Sequence, residues 1–266
     1  MADGAALGRR AVLKAVPLQV GGRWISTSAI VAAGGRGQRF GAGRPKQLVD
    51  IGGRSLLDWS LQALLQHPAV DEVIVALPAA VVAQPPSSLR TGSKPVRLVA
   101  GGARRQDSVA NAFAAADPRA DVILIHDAAR PFVSAELIAR SVAAAVEFGA
   151  AVAAVPSRDT VKLTDATGRV LETLPRERIY LAQTPQTFRR EILRQAFALA
   201  PPEEEATDEA TLAERAGFTV RVVEGDASNI KITVPEDMPM AEALIEARAP
   251  VAVPDPGWRV GTGYDL

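Results

Sequence analysis

Short, unbroken apolar runs recur along the chain, and each gives way to residues at helical spacing. "AIVAA" (Ala29–Ala33), "VIVAL" (Val73–Leu77), "VRLVAGG" (Val96–Gly102) and "DVILIHD" (Asp121–Asp127) read as strands buried on both faces. After the first of them, Leu57, Leu61, Leu64 and Leu65 fall on one helical face. That helix opens at Ser55, with Asp58 three residues on, the spacing of a capping box. Asp107–Ala116 and Ser134–Phe148 also read as helices, and "AAVAAVP" follows as a further strand. Apolar strands alternating with helices predict an α/β fold: a mostly parallel sheet with helices on both faces. Ligands of such sheets bind beyond the carboxyl ends of the strands. Three polar loops leave strand ends there, at Gly34–Gln47, Gly101–Asp107 and Asp127–Pro131.

The rhythm changes between Thr160 and Thr184, where two short alternating runs flank Asp165–Gly168. They predict a β-hairpin, an inserted arm over about residues 157–184. Helical spacing returns after Gln183, in Arg189–Leu199 and Asp208–Ala216. "FTVRVVEG" then reads as a strand, and Pro235 suits the first turn of a last helix. Lys231 lies between Ile230 and Ile232, which suits a strand turning one face to a site. The expected organisation is a loose extension over 1–25, one domain over 26–248, and a proline-rich linker with a stub over 249–266.

Charge and composition narrow the function. The 30 basic residues balance 30 acidic ones, which argues against a nucleic-acid binder. The absence of cysteine removes thiolate zinc sites and thiol nucleophiles, and fits a reducing cytoplasm. With His67 and His126 far apart in sequence, zinc is disfavoured. No uncharged apolar run is long enough to predict a membrane span.

Against that balanced background, Ala32–Leu48 holds five glycines and four cations and no acid. It is neither a Walker loop, since Lys46 follows Pro45, nor a dinucleotide fingerprint, since Phe40 stands where the last glycine belongs. Backbone N–H groups of such a loop can wrap phosphate oxygens while Arg39 and Lys46 neutralise them. Asp127 ends an apolar strand, where a carboxylate needs a partner. Mg²⁺ shared with phosphate oxygens, a salt bridge to Arg130, or a helix cap would each serve. Gly101 and Gly102 permit close approach, and Ser108 stands near a helix start, as ligand contact or as cap.

In order and spacing, "AAGxGxR…PKQ", "GGxxRxDSV", "HDAARPF", "RDTVK", "TPQTF", "TDEA" and "NIKIT" resemble the 2-C-methyl-D-erythritol 4-phosphate cytidylyltransferase family, over about Ala29 to Ala247. The resemblance implies a Rossmann-like nucleotidyltransferase that joins CTP to methylerythritol phosphate with release of pyrophosphate, in non-mevalonate isoprenoid synthesis. It implies catalytic roles for Arg39, Lys46, Arg176 and Lys231, and nucleotide contacts from Ala33, Gly34, Gly37, Gly102 and Ser108. Asp127 would hold Mg²⁺, while Arg130, Thr160, Thr184 and Thr207 would meet the acceptor. It further implies a homodimer through the hairpin arm, with Arg176 serving the neighbouring site. Ser228 stands where the family often has a carboxylate. "RVGTGYDL" at the end is similar to the opening of methylerythritol cyclodiphosphate synthase, so the chain reads as the transferase half of a fusion. Another polyol phosphate acceptor, such as ribitol phosphate, and a non-catalytic nucleotide binder remain open at this point.

Overall fold

The computed structural model describes residues 19–20, 22–35, 45–90, 94–201 and 204–248. Gly37, Arg39, the first part of the 1–25 extension and the 249–266 tail lie outside the described residues.

Among the described residues the first element is a small hairpin, β1 (Gln19–Val20) and β2 (Arg23–Trp24), followed by β3 (Thr27–Ala32). The hairpin falls within the stretch expected to be loose. Arg23 forks onto both oxygens of Asp121 at 2.7 and 2.9 Å and ties it to the domain. A second small hairpin, β4 (Asp50–Ile51) and β5 (Arg54–Ser55), leads into α1 (Leu56–Gln66). Ser55 caps α1, accepting the Asp58 N–H. β6 (Glu72–Leu77), α2 (Ala79–Ala83), β7 (Val96–Ala100), α3 (Arg105–Ala115) and β8 (Val122–Asp127) follow. Then come α4 (Ala135–Phe148) and β9 (Ala150–Pro156), and the arm, β10 (Val161–Thr164) with β11 (Val170–Leu174). β12 (Tyr180–Arg189), α5 (Arg190–Leu199), α6 (Glu209–Arg215), β13 (Arg221–Glu224) and α7 (Met238–Arg248) complete the order.

Seven strands form one sheet in the order β13-β9-β12-β8-β3-β6-β7. All neighbours pair in parallel except where β12 runs antiparallel between β8 and β9. β12 is the strand that the apolar pattern misses: "YLAQTPQTFR" contains a proline and few aliphatic residues. Its partners on both sides, rather than its own composition, make it a strand.

Side chains along the central strands are buried on both faces in alternation. Ala29, Val31, Val73, Val75, Val122 and Leu124 pack beneath α1 and α4. Ile30, Ile74, Ile123 and Ile125 pack beneath α3, α5 and α6. Two-faced burial is why these strands read as continuous apolar runs. From β3 the chain winds outward to β6 and β7, then returns to place β8 on the other side of β3. The connections therefore diverge between the ends of β3 and β8, where Ala32 lies opposite Asp127. Open α/β sheets form their ligand crevice at such a point.

Candidate active site

The crevice is floored by close backbone contact. A Cβ on Gly101 would lie 3.2 Å from the Gly34 Cα and 2.8 Å from the Ser108 Oγ, so the loops after β3 and β7 meet only because both positions are glycine. Ser108 seals this joint. Its hydroxyl donates to the Arg104 carbonyl and accepts the Gly102 N–H at 3.0 Å. Ala33, the next residue after β3, is pinned by its N–H on the Ala76 carbonyl.

Asp127, the last residue of β8, is 7% exposed and stands at the centre of an ionic cluster. Its Oδ1 accepts from Arg105 Nε at 3.1 Å, and its Oδ2 meets Lys231 Nζ at 2.8 Å. Arg105 Nη1 also donates to both oxygens of Glu209, at 2.9 and 2.7 Å. Burial by itself would push the Asp127 carboxyl up; the Arg105 and Lys231 charges outweigh it and hold it well below the usual carboxylate range. Asp127 is therefore ionised whenever the cluster is intact. The ion pair expected with Arg130 is instead made by Arg105 and Lys231, neither of which the sequence offers as a partner for Asp127.

Arg130 lies beneath the site. It is 9% exposed and donates to the Asn229 carbonyl at 2.8 Å and the Ala182 carbonyl at 3.3 Å, stapling the 226–233 segment to β12. That segment is not a strand, in contrast to the reading of "NIKIT". Ile232 is fully buried in a satellite core with Ile51, Leu56, Phe132 and Ala241, and its N–H bonds the Ala129 carbonyl. The apolar residues that suggested a strand are thus anchors, and they leave Lys231 half exposed above Asp127. Lys46 arrives from the other side, its Nζ on the Ile232 carbonyl at 2.7 Å.

His126 and Thr184 support the same strand end. The β12–β9 register shifts between Ala182 and Gln186, and this irregularity turns Thr184 toward β8. The Thr184 Oγ1 accepts the Asp127 N–H at 3.1 Å and lies 2.9 Å from His126 Nδ1. His126 Nε2 lies 2.9 Å from the Arg130 carbonyl, so it must carry the proton and Nδ1 must accept from the threonine. Burial pushes this imidazole down to about 4, against the pull of the Arg130 carbonyl and Asp127. Both ring nitrogens are committed, and Thr184, 4% exposed, spends its hydroxyl hydrogen on His126 while its oxygen accepts the Asp127 N–H. This histidine and threonine hold the site in shape.

The remaining candidates lie elsewhere. Thr160 and Arg176 line an open cavity of about 310 Å³ with Thr173, Leu174, Pro175 and Glu177 at the base of the arm. Thr207 is exposed just before α6, its hydroxyl 3.2 Å from that of Thr211. Asp226, two residues before Ser228, folds its carboxylate back onto the Ser228 N–H and hydroxyl, both at 2.8 Å.

Sequence reasoning gave Arg105 and Glu209 no site role, although they stand in the motifs "GGxxRxDSV" and "TDEA". Glu209 reads as an ordinary first-turn acid, stabilising for the helix dipole. Its signal was its neighbours: Ala206, Ala210, Leu212 and Ala213 make the start of α6 a buried face, yet the acid sits among them at 0% exposure.

A divalent cation has a fitting donor here in one ionised carboxylate. Mg²⁺ commonly takes one or two such groups together with substrate phosphate oxygens. Among the described residues no three His, Cys, Asp or Glu side chains gather as a metal cage, so such an ion would rest on Asp127 and the substrate.

Residues 27–247 match the family described as IspD: 2-C-methyl-D-erythritol 4-phosphate cytidylyltransferase. The chain is 50% identical over 240 residues to the bifunctional enzyme IspD/IspF of Anaeromyxobacter dehalogenans, covering 89% of this chain and 59% of that protein. It is 41% identical to the 2-C-methyl-D-erythritol 4-phosphate cytidylyltransferase of Syntrophus aciditrophicus, covering 82% of this chain and 95% of that one. The crystal structure of the cytidylyltransferase from Thermus thermophilus superposes with a TM-score of 0.70 at 39% identity, over 84% of this chain and 100% of that chain. The 4-diphosphocytidyl-2C-methyl-D-erythritol synthase from Anaerococcus prevotii gives 0.74 at 32%, over 84% and 99%. The chain thus spans about 59% of the length of the bifunctional relative and nearly all of the single-function one. Fold and sequence agree: this chain belongs to the 2-C-methyl-D-erythritol 4-phosphate cytidylyltransferase family.

Proposed function

We propose that this chain transfers CMP from CTP to 2-C-methyl-D-erythritol 4-phosphate, releasing pyrophosphate, in the cytoplasm. The observation that carries the reading is the convergence of Lys46 and Lys231 on the crevice, one bonded to the Ile232 carbonyl and the other to Asp127. Two ammonium groups from distant parts of the chain are thereby held at one strand end. Their positions are set before any anion arrives, so little reorganisation is needed when phosphate charge grows.

The acceptor phosphate is itself the nucleophile, so the protein need supply no base. The local chemistry agrees. Ser108 and Thr184 spend their hydroxyls internally, and His126 spends both nitrogens. What the chain's residues do is bind, orient and neutralise. Lys46 and Arg39 stabilise the triphosphate, and Lys231 orients the acceptor phosphate. Backbone groups of Ala33, Gly34, Gly37 and Gly102 contact the nucleotide, and Asp127 holds Mg²⁺, which when bound neutralises phosphate oxygens. Thr160 and Arg176 belong to the acceptor phosphate's site in a neighbouring protomer, reached through the arm. Leu163, Val170, Leu171, Tyr180 and Leu181 are each about half exposed along the arm and its base, an apolar ribbon suited to a second copy.

Pyrophosphate release should be measured with Mg²⁺, methylerythritol phosphate and each of the four NTPs, with ribitol 5-phosphate as the second acceptor. Release confined to CTP with methylerythritol phosphate is expected. Preference for ribitol 5-phosphate overturns the acceptor, and no release from the folded chain overturns the activity.

A further inference from the structure

Glu209 poses a question that substrate binding does not answer. Its side chain is fully buried, and its carboxylate has both oxygens on Arg105 Nη1. It cannot touch a ligand in the crevice. Burying a carboxylate is costly before its partner compensates, and an apolar pair of similar volume is often as stable. Stability alone is a weak reason for the pair.

Geometry supplies a better one. Arg105 spans two carboxylates, Nη1 on Glu209 and Nε on Asp127 Oδ1. Asp127 in turn holds Lys231 on its other oxygen. The cluster is thus a chain, Glu209–Arg105–Asp127–Lys231, whose buried end is fixed and whose far end is half exposed in the crevice. A fixed guanidinium on Oδ1 leaves Oδ2 alone to meet the ammonium. Without it, Asp127 can turn both oxygens onto Lys231 and draw the ammonium down. A planar guanidinium can hold both acids at set angles; an ammonium is a point charge on a flexible stem and cannot.

We propose that Arg105, clamped by Glu209, is a positioning residue that sets the Asp127 carboxylate and thereby holds Lys231 at the height where it meets substrate phosphate. The inference rests on the transfer reaction proposed above.

The test is a double-variant cycle on the purified chain with Mg²⁺, CTP and methylerythritol phosphate, with CTP binding followed by calorimetry without acceptor and thermal unfolding recorded for each protein. Arg105→Lys keeps the charge and loses the fork. It is expected to lower kcat by about tenfold to a hundredfold while the CTP Kd moves by less than about threefold. In a Lys231→Ala background the same change should cost less than about twofold, because the group it positions is gone. Glu209→Gln should follow the same pattern with a smaller loss, and it carries the test if Arg105→Lys does not fold. A merely structural role predicts lowered unfolding temperatures and equal factors in both backgrounds. Wild-type kcat in Arg105→Lys, or the same loss with and without Lys231, overturns the inference while leaving the reaction in place. A wild-type chain without pyrophosphate release overturns the reaction and this inference with it.

Discussion

The crevice at the end of β8 and the arm over β10–β11 solve opposite problems. In the crevice, the carboxylates of Asp127 and Glu209 are taken out of water and satisfied by the chain itself, through Arg105 and Lys231 at 3.1 Å or less. In the arm, apolar groups are left in water. Val170 and Leu171 are 54% and 55% exposed, and the two strands pair only with each other. A two-stranded ribbon is marginal by itself. The first region is preorganised within one chain, whereas the second has the composition of a surface to be covered. The contrast fits the proposal made above, with chemistry in the crevice and an arm that offers Arg176 to a second copy.

The comparison can be broken most forcefully at the lysines. Lys46→Ala and Lys231→Ala should each cut turnover by about 10²–10³-fold. The unfolding midpoint of Lys46→Ala should stay close to wild type, since that side chain is partly solvated, whereas Lys231→Ala should lower it by less than Asp127→Asn does, since Arg105 still neutralises the carboxylate. Near-normal turnover in either would remove the charge-stabilising role.

Next comes stability. Asp127→Asn removes the charge that Arg105 and Lys231 share and should destabilise the fold by about 3 kcal/mol in urea unfolding. Arg169, in contrast, pairs with Asp165 on the arm with three quarters of its side chain exposed. Arg169→Ala should cost less than about 0.5 kcal/mol. Equal losses at the two sites would erase the distinction between a buried and a solvated ion pair.

A pH series sharpens the same point. His126 is buried neutral at about 4, among Asp127, Arg130 and Arg105, against 6.5 for a free imidazole. The unfolded chain therefore binds more protons between these values. Stability should be complete above about pH 6.5 and fall as the pH drops toward 4, by about 3 kcal/mol from this group. His67, also lowered by burial, adds to the slope. His126→Asn should flatten the series in part; an unchanged slope would contradict the assignment of His126 as a neutral strut.

Smaller in free energy is the effect of Leu171→Asp on the arm. It should weaken self-association in sedimentation velocity while leaving the far-ultraviolet spectrum unchanged. Association untouched by that substitution would argue against the arm as an interface.

The sequence showed much of this frame because two-faced burial writes itself as apolar runs, and Gly34, Gly101 and Asp127 punctuate those runs at the strand ends. β12 stayed hidden because its burial comes from neighbours on both sides, with Gln183, Thr184, Gln186 and Thr187 all buried and polar. Lys231 was recognised, but in the wrong local structure. Isoleucines flanking a lysine look the same whether they alternate in a strand or anchor a coil. Glu209 and Arg105 were invisible as a pair, since 104 residues separate them and only the fold brings the first residue of α6 to the first residue of α3. Arg176 could be recognised by resemblance alone; within one chain its guanidinium reaches only the Arg158 carbonyl at 3.4 Å among the bonds described.

The division between crevice and arm is tested most directly by mixing Lys46→Ala and Arg176→Ala chains in equal amounts under conditions that exchange protomers. Each variant alone should be nearly inactive. In a two-fold dimer with Arg176 acting across the interface, half of the dimers are mixed and each regains one intact site, so turnover should return to about a quarter of wild type. Verified mixed dimers that stay inactive would contradict the account and place Arg176 in the service of its own chain.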